Sequence, residues 1–227
     1  MDISILPSLL AADCGCLAEA CRCVAASGAE ALHLDIMDAH FVPNLSFGPD
    51  VAVMAHRVTP SLPLNVHLMI SHPDRYAVRF IQAGAATVQI HVEADCDLRG
   101  TLAEIRKHRV RAGLVIKPGT PVESVFPFLG QVDEVLVMTV EPGYGGQAFM
   151  ADMLPKLKAL RHEANRLGVP EFLIMVDGGI NAATAATCAA HGANAFVAGS
   201  SLFRLADMRA GVMEMRQAAT AAYGRNL

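Results

Sequence analysis

His33-Leu34-Asp35 lies within an apolar run. On a β-strand, alternate side chains leave by the same face, so this imidazole and carboxylate share one side. Two further runs end the same way: Val66-His67-Leu68-Met69 and Met175-Val176-Asp177. If the three strands line one barrel, His33, Asp35, His67 and Asp177 converge on its mouth. Two imidazoles and two carboxylates suit one borderline divalent cation such as Zn, Fe, Mn or Co. A single buried histidine is an ordinary core residue. Four ionisable groups at the ends of apolar strands are not, because burying charge without a partner is costly. His91-Val92-Glu93 repeats the spacing and is expected either to ligate the metal or to hydrogen-bond its ligands from behind. His40, His56, His72, His108, His162 and His191 fall in loops or helices and are expected to be solvated.

A second set of residues is built for anions. Glu141-Pro142-Gly143-Tyr144-Gly145-Gly146-Gln147, Asp177-Gly178-Gly179-Ile180-Asn181 and Ala198-Gly199-Ser200-Ser201 each follow an apolar run. Glycine lets backbone N–H groups approach an anion closely, and it lets a loop move. Barrel phosphate sites often use the last two such loops with a short helix N-terminus. No Lys or Arg occurs in these loops before Arg204, so such a cradle would be mostly backbone dipoles.

The elements that must carry these groups alternate. Apolar strand-like runs are expected at 3–8, 31–37, 64–69, 87–92, 112–116, 134–139, 172–176 and 195–198. Several are nearly continuous in Val, Ile and Leu, as parallel strands covered on both faces are. Helical patterns occupy 74–83, 98–107, 151–167 and 182–190, most with a glycine just beyond the end. Eight such units in 227 residues predict one (β/α)8 TIM barrel over residues 1–227, ahead of an open doubly wound sheet.

Composition agrees. Apolar residues make up 53% of the chain and charged residues 18%, which excludes a disordered chain. Net charge is −4, with 4 Lys against 14 Arg and no basic run, so nucleic acid is not an expected partner. No apolar stretch reaches the roughly 18 residues needed to span a bilayer. The start is not a secretory signal, since the first basic residue is Arg22. A cytoplasmic protein is expected. Cys14, Cys16, Cys21 and Cys23 cluster in a helical stretch without the C-x2-C pairs of common zinc sites and are expected to be packing thiols.

The motifs together resemble the ribulose-phosphate 3-epimerase family. The matching pieces are I-L-P-S-L-L-A-A-D at 5–13, H-L-D-I-M-D-A-H-F-V-P-N at 33–44 and V-H-L-M at 66–69. M-T-V-E-P-G-Y-G-G-Q at 138–147, V-D-G-G-I at 176–180 and V-A-G-S at 197–200 follow in order. The resemblance implies a barrel of the ribulose-phosphate-binding type and a metal-dependent epimerase that inverts C3 of a ketose phosphate, D-ribulose 5-phosphate to D-xylulose 5-phosphate, in the pentose phosphate pathway. It implies one divalent metal per subunit on His33, Asp35, His67 and Asp177, with Asp35 and Asp177 also the acid–base pair. Ser8, His67, Met37, Met69 and Met138 would face substrate. Gly143, Tyr144, Gly145, Gly146, Gly178, Gly179, Gly199 and Ser200 would hold phosphate. A homo-oligomer is expected, since family relatives associate.

Three positions depart from the family pattern: Ala39 where Gly is usual, Asn65 where Asp is common, and Glu141 where Asn is usual. None removes a ligand, but Glu141 is expected to alter the lid or the sugar pocket. Three other readings compete. An allulose-6-phosphate 3-epimerase shares most of these motifs. A Schiff-base aldolase would use Lys117, the one amine at a strand end. A non-catalytic sugar-phosphate-binding barrel would bind without turnover. A fourth, a metal-assisted decarboxylase or lyase on a related phosphate barrel, stands slightly ahead of the aldolase but lacks a D-x-K strand motif to support it.

Overall fold

The computed structural model describes residues 2–227. Eight parallel strands follow one another around a ring: β1 (Ser4–Pro7), β2 (Leu32–Met37), β3 (Leu64–Met69), β4 (Ala85–His91), β5 (Arg111–Ile116), β6 (Glu134–Met138), β7 (Leu173–Asp177) and β8 (Ala195–Ala198). Neighbours pair in the order β1-β8-β7-β6-β5-β4-β3-β2, and a parallel bridge between Ser8 and His33 closes β1 onto β2. The protein is a (β/α)8 barrel.

Strand alternation decides which residues face which layer. Leu32, Leu34 and Ile36 point outward and join the large core between strands and helices. Each such fully buried side chain contributes about 1.5–3 kcal/mol relative to exposure. The intervening His33, Asp35 and Met37 are thereby committed to the interior. The interior is divided. Leu6, Val115, Leu136, Met138, Met175, Ala195 and Val197 form an apolar arc from β1 and β5–β8. His33, Asp35, Asn65, His67, Thr87, Gln89 and His91 form a buried polar arc from β2–β4.

The helices are α1 (Leu17–Ala26), α2 (Pro49–Val58), α3 (Ala77–Gln82), α4 (Leu98–Lys107), α5 (Leu154–Arg166), α6 (Ala182–Ala190), α7 (Ser200–Phe203) and α8 (Met208–Ala222). The helix expected over 74–83 is split. Pro73–Arg75 forms a 3-10 turn, and Tyr76 at φ −121° leaves helical geometry before α3 begins. Between β5 and β6 a 3-10 segment, Val122–Phe128, replaces a regular helix. Pro127 within it has no N–H and would clash with a preceding turn. Of the four clustered cysteines expected to pack, only Cys21 in α1 is buried; Cys14 and Cys16, in a 3-10 turn before α1, and Cys23, on its outer side, are exposed. No helix among the described residues is long and apolar enough to cross a membrane.

Candidate metal centre at the barrel mouth

Register sets Asp35 beside His67 and Met37 beside Met69 across β2 and β3. Asp177 ends β7, which is separated from β2 in the ring by β8 and β1. These strand ends bring His33, Asp35, His67 and Asp177 together. One ligand atom from each lies within 4.8 Å of all the others. His67 Nδ1 is 3.2 Å from Asp35 Oδ1 and 4.0 Å from Asp177 Oδ2. Both imidazoles are fully buried. Ser8 Oγ donates to Asp35 Oδ2 at 2.5 Å.

The donor set fits a divalent cation. His33 Nε2 is buried and lies 3.3 Å from Asp35 Oδ1, but off the hydrogen-bonding direction, so it has no partner. A cation at the centre of the four groups would satisfy this atom and both carboxylates at once. Without one, the charges compensate each other. Burial opposes charging His33, but Asp35 and then Asp177 outweigh it, and its pKa is raised. Burial likewise opposes charge on Asp35, yet the neighbouring His33, foremost among the groups that favour the carboxylate, holds that carboxyl well below the usual range. For Asp177, burial and then the Asp35 charge act together and push the carboxyl up to about 7. His67 falls to about 4, chiefly through burial.

Two hydrogen-bond chains reach the imidazoles from behind. His33 Nδ1 lies 2.8 Å from Asn65 Oδ1, and Asn65 Nδ2 donates to Glu134 Oε1 at 2.8 Å. Gln89 Nε2 donates to the same oxygen at 2.6 Å. With its amide N–H groups given to Glu134, Asn65 presents only its oxygen to His33, so His33 carries a proton on Nδ1. Gly113 makes this possible, because a Cβ there would lie 2.8 Å from Gln89 Cγ and 2.9 Å from Glu134 Cγ. Asn65 therefore serves in an amide–carboxylate pair with Glu134. Glu134 and Gln89 are functional neighbours that the sequence reading did not find. The available signal was the interior phase of β6: Glu134 is in step with Leu136 and Met138.

The second chain runs from His67 Nε2 to His91 Nε2 at 2.9 Å, and from His91 Nδ1 to Glu93 Oε2 at 3.0 Å. His91 and Glu93 stand outside the four-residue group. Of the two expectations for this pair, the structure has the hydrogen bond, to the candidate ligand His67.

A cavity of about 730 Å³ opens in front of the cluster. Asp35 and Asp177 line its floor together with Ser8, Met37, Met69 and Met138. Gly143, Tyr144, Gly145, Gly146, Gly178, Gly179, Gly199 and Ser200 line its wall. His33 and His67 do not line it and sit behind the carboxylates. Asn181, Thr184 and Phe149 also line it; these carry no motif beyond their place beside the glycine loops. The 143–147 loop is tied across the mouth: Asn44 Nδ2 donates to the Gly143 carbonyl at 2.8 Å, and the Tyr144 hydroxyl donates to the Pro43 carbonyl. Glu141 is exposed and does not line the cavity. Ala39 adopts φ +60°, which explains why glycine suits that position. Lys117 Nζ packs 3.6 Å from the centre of the Phe41 ring and does not line the cavity.

The fold and the cluster define the class: a (β/α)8-barrel enzyme with a candidate metal centre at the C-terminal mouth. A model of the Ribulose-phosphate 3 epimerase family matches residues 4–203. A ribulose-phosphate 3-epimerase from Bacillus subtilis is 42% identical over 214 residues, covering 94% of this chain and 98% of that protein. One from Mycobacterium tuberculosis is 43% identical over 218 residues, covering 96% and 93%. Among solved structures, 3-hexulose-6-phosphate synthase from Salmonella typhimurium superposes with TM-score 0.72 at 14% identity, covering 97% of this chain and 100% of that one. That likeness speaks to the fold alone. The chain belongs to the ribulose-phosphate 3-epimerase family.

Proposed function

We propose that the protein inverts C3 of D-ribulose 5-phosphate to give D-xylulose 5-phosphate, using Asp35 and Asp177 as the proton-transferring pair. The observation that carries this reading is the placement of two carboxylates, from strands separated in the ring by two others, at the floor of one cavity whose wall is glycine loop. His33, Asp35, His67 and Asp177 would hold one divalent cation; Zn, Fe, Mn and Co all suit this donor set. When bound, the cation supplies Lewis-acid stabilisation to the negative charge that develops on the carbonyl oxygen.

The chain's own residues do the rest. One carboxylate removes the C3 proton from one face of the sugar, and the other returns a proton to the opposite face of the planar enediolate. Their roles exchange with the direction of reaction. Ser8 holds Asp35 in orientation through its short hydrogen bond. Met37, Met69 and Met138 shield the reacting carbon from water. The backbone N–H groups of the 143–146, 178–179 and 199–200 loops would receive the phosphate. That Lys117 stands outside the cavity disfavours Schiff-base chemistry.

Turnover in D2O is the direct test. Product isolated at early times should carry one deuterium at C3, read by proton NMR; inversion with full retention of hydrogen there would refute deprotonation. Parallel assays with ribulose 5-phosphate and allulose 6-phosphate decide the sugar, and the former is expected to turn over faster.

The phosphate cradle has its own test. Gly179 sits at φ +66°, and a Cβ there would lie 2.7 Å from the Phe149 backbone nitrogen. Gly179→Ala should therefore displace the 178–181 loop and raise KM at least about tenfold, which is about 1.4 kcal/mol of lost binding. A KM within twofold of the unaltered protein would remove this loop from the phosphate site.

A further inference from the structure

We propose that Glu93 is a positioning residue for the metal centre: acting through His91, it fixes the proton of His67 on Nε2 and turns the bare Nδ1 toward Asp35 and Asp177. This rests on the metal-dependent reading above.

The assignment follows from which groups can only donate and which can only accept. Glu93 Oε1 receives the backbone N–H of Lys117 at 2.8 Å and the Thr120 hydroxyl. Its other oxygen, Oε2, faces His91 Nδ1 at 3.0 Å. A carboxylate only accepts, so His91 Nδ1 carries the proton. His91 Nε2 is then an acceptor, and the atom 2.9 Å away, His67 Nε2, must donate. That leaves His67 Nδ1 with its lone pair exposed to Asp35 Oδ1 at 3.2 Å and Asp177 Oδ2 at 4.0 Å. The two rings are stacked with centroids 5.0 Å apart and are fully buried, so neither replaces this bond with one to solvent. The reverse wiring would set a bare nitrogen against the Glu93 carboxylate. Histidine ligands in metal sites are oriented by such partners on their second nitrogen.

Glu93→Gln tests this with almost no change of shape. The amide oxygen must stay on the Lys117 N–H, which can only donate. The amide nitrogen then faces His91 Nδ1, and the wiring reverses along the whole chain. His91 Nδ1 accepts, His91 Nε2 donates to His67, and His67 Nδ1–H points at Asp35. Every group remains paired in the metal-free variant, so its melting temperature should equal or exceed that of the unaltered protein. Its zinc affinity, measured by competition with a chromophoric chelator, should fall at least about tenfold. Nitrogen-15 NMR of the metal-free variant should show His67 protonated on Nδ1. Thr120→Val removes one donor from the same carboxylate but leaves Oε2 free, and should keep zinc affinity within threefold of the unaltered protein. If the unaltered protein takes up none of zinc, iron(II), manganese(II) or cobalt(II), the metal-dependent reading fails. If it takes one up, and E93Q binds that metal within threefold as tightly, only the role of Glu93 fails. A drop in the E93Q melting temperature alongside the lost affinity would make Glu93 a brace for its loop and overturn the proposal equally.

Discussion

Asp177→Asn should lower kcat by about 10³-fold, within the range of about 10²–10⁴ for loss of a general acid or base, and should leave the melting temperature unchanged or raised. The two halves of this result have separate causes. The amide cannot accept or deliver the C3 proton. Yet Asp177 is the carboxyl whose pKa is pushed up by burial and by the Asp35 charge, so a neutral group at that position relieves repulsion. Asp35→Asn should differ. Asp35 accepts from Ser8 and lies against both imidazoles, and its removal leaves buried charge on His33 without a partner. That loss of stability is of the order of 3 kcal/mol, in addition to a comparable loss of turnover. Steady-state kinetics and thermal unfolding on both variants check the pair of statements. Retention of more than a tenth of the activity in either would remove that residue from proton transfer.

Stripping the metal with a chelator should abolish turnover, and the affinity for added zinc should fall as the pH drops below neutrality. The sign comes from the metal-free site. Asp177 there holds its proton up to about pH 7, and the pKa of His33 is raised by Asp35 and Asp177 against the effect of burial. Both groups must be deprotonated to ligate, so metal binding expels protons. Below neutrality the affinity should decrease by about tenfold per pH unit for each proton displaced. Calorimetry in buffers of different ionisation enthalpy measures proton release directly. Zinc at a thousand times its Kd should also stabilise the fold by about 4 kcal/mol. Binding that is indifferent to pH between 5 and 8, or activity that survives exhaustive chelation, would disprove the assignment.

Much of this was legible before any coordinates. The alternation of Leu32, Leu34 and Ile36 with His33, Asp35 and Met37 forces the reactive groups inward, and a strand period of two suffices to see it. The glycine-rich loops are also visible, because their composition has a direct conformational reason. The supporting network is less legible. Asn65 stands out in sequence only as an exception, since its partner Glu134 is 69 residues away and the amide orientation depends on that contact. Gly113 carries no motif, and its importance lies in two side chains from neighbouring strands. The break at Tyr76 and the 3-10 segment around Pro127 illustrate the same limit: local pattern predicts that a segment turns, but packing decides how tightly. Glu141 is conspicuous in sequence, yet its side chain faces solvent and only its carbonyl, bonded to Gln147, takes part in the loop.

The division of the barrel interior has a consequence for how such a chain can diverge. Along β5–β8, Glu134 and Asp177 apart, one aliphatic side chain can replace another of similar volume, with adjustments spread over its neighbours. Along β2–β4 most interior side chains carry donors or acceptors, several of them held by other strands as Asn65 Nδ2 is by Glu134, so a single replacement orphans a counterpart. A tolerated change on that side must come with a matching change in its partner, which for Asn65 is Glu134 across the barrel on β6.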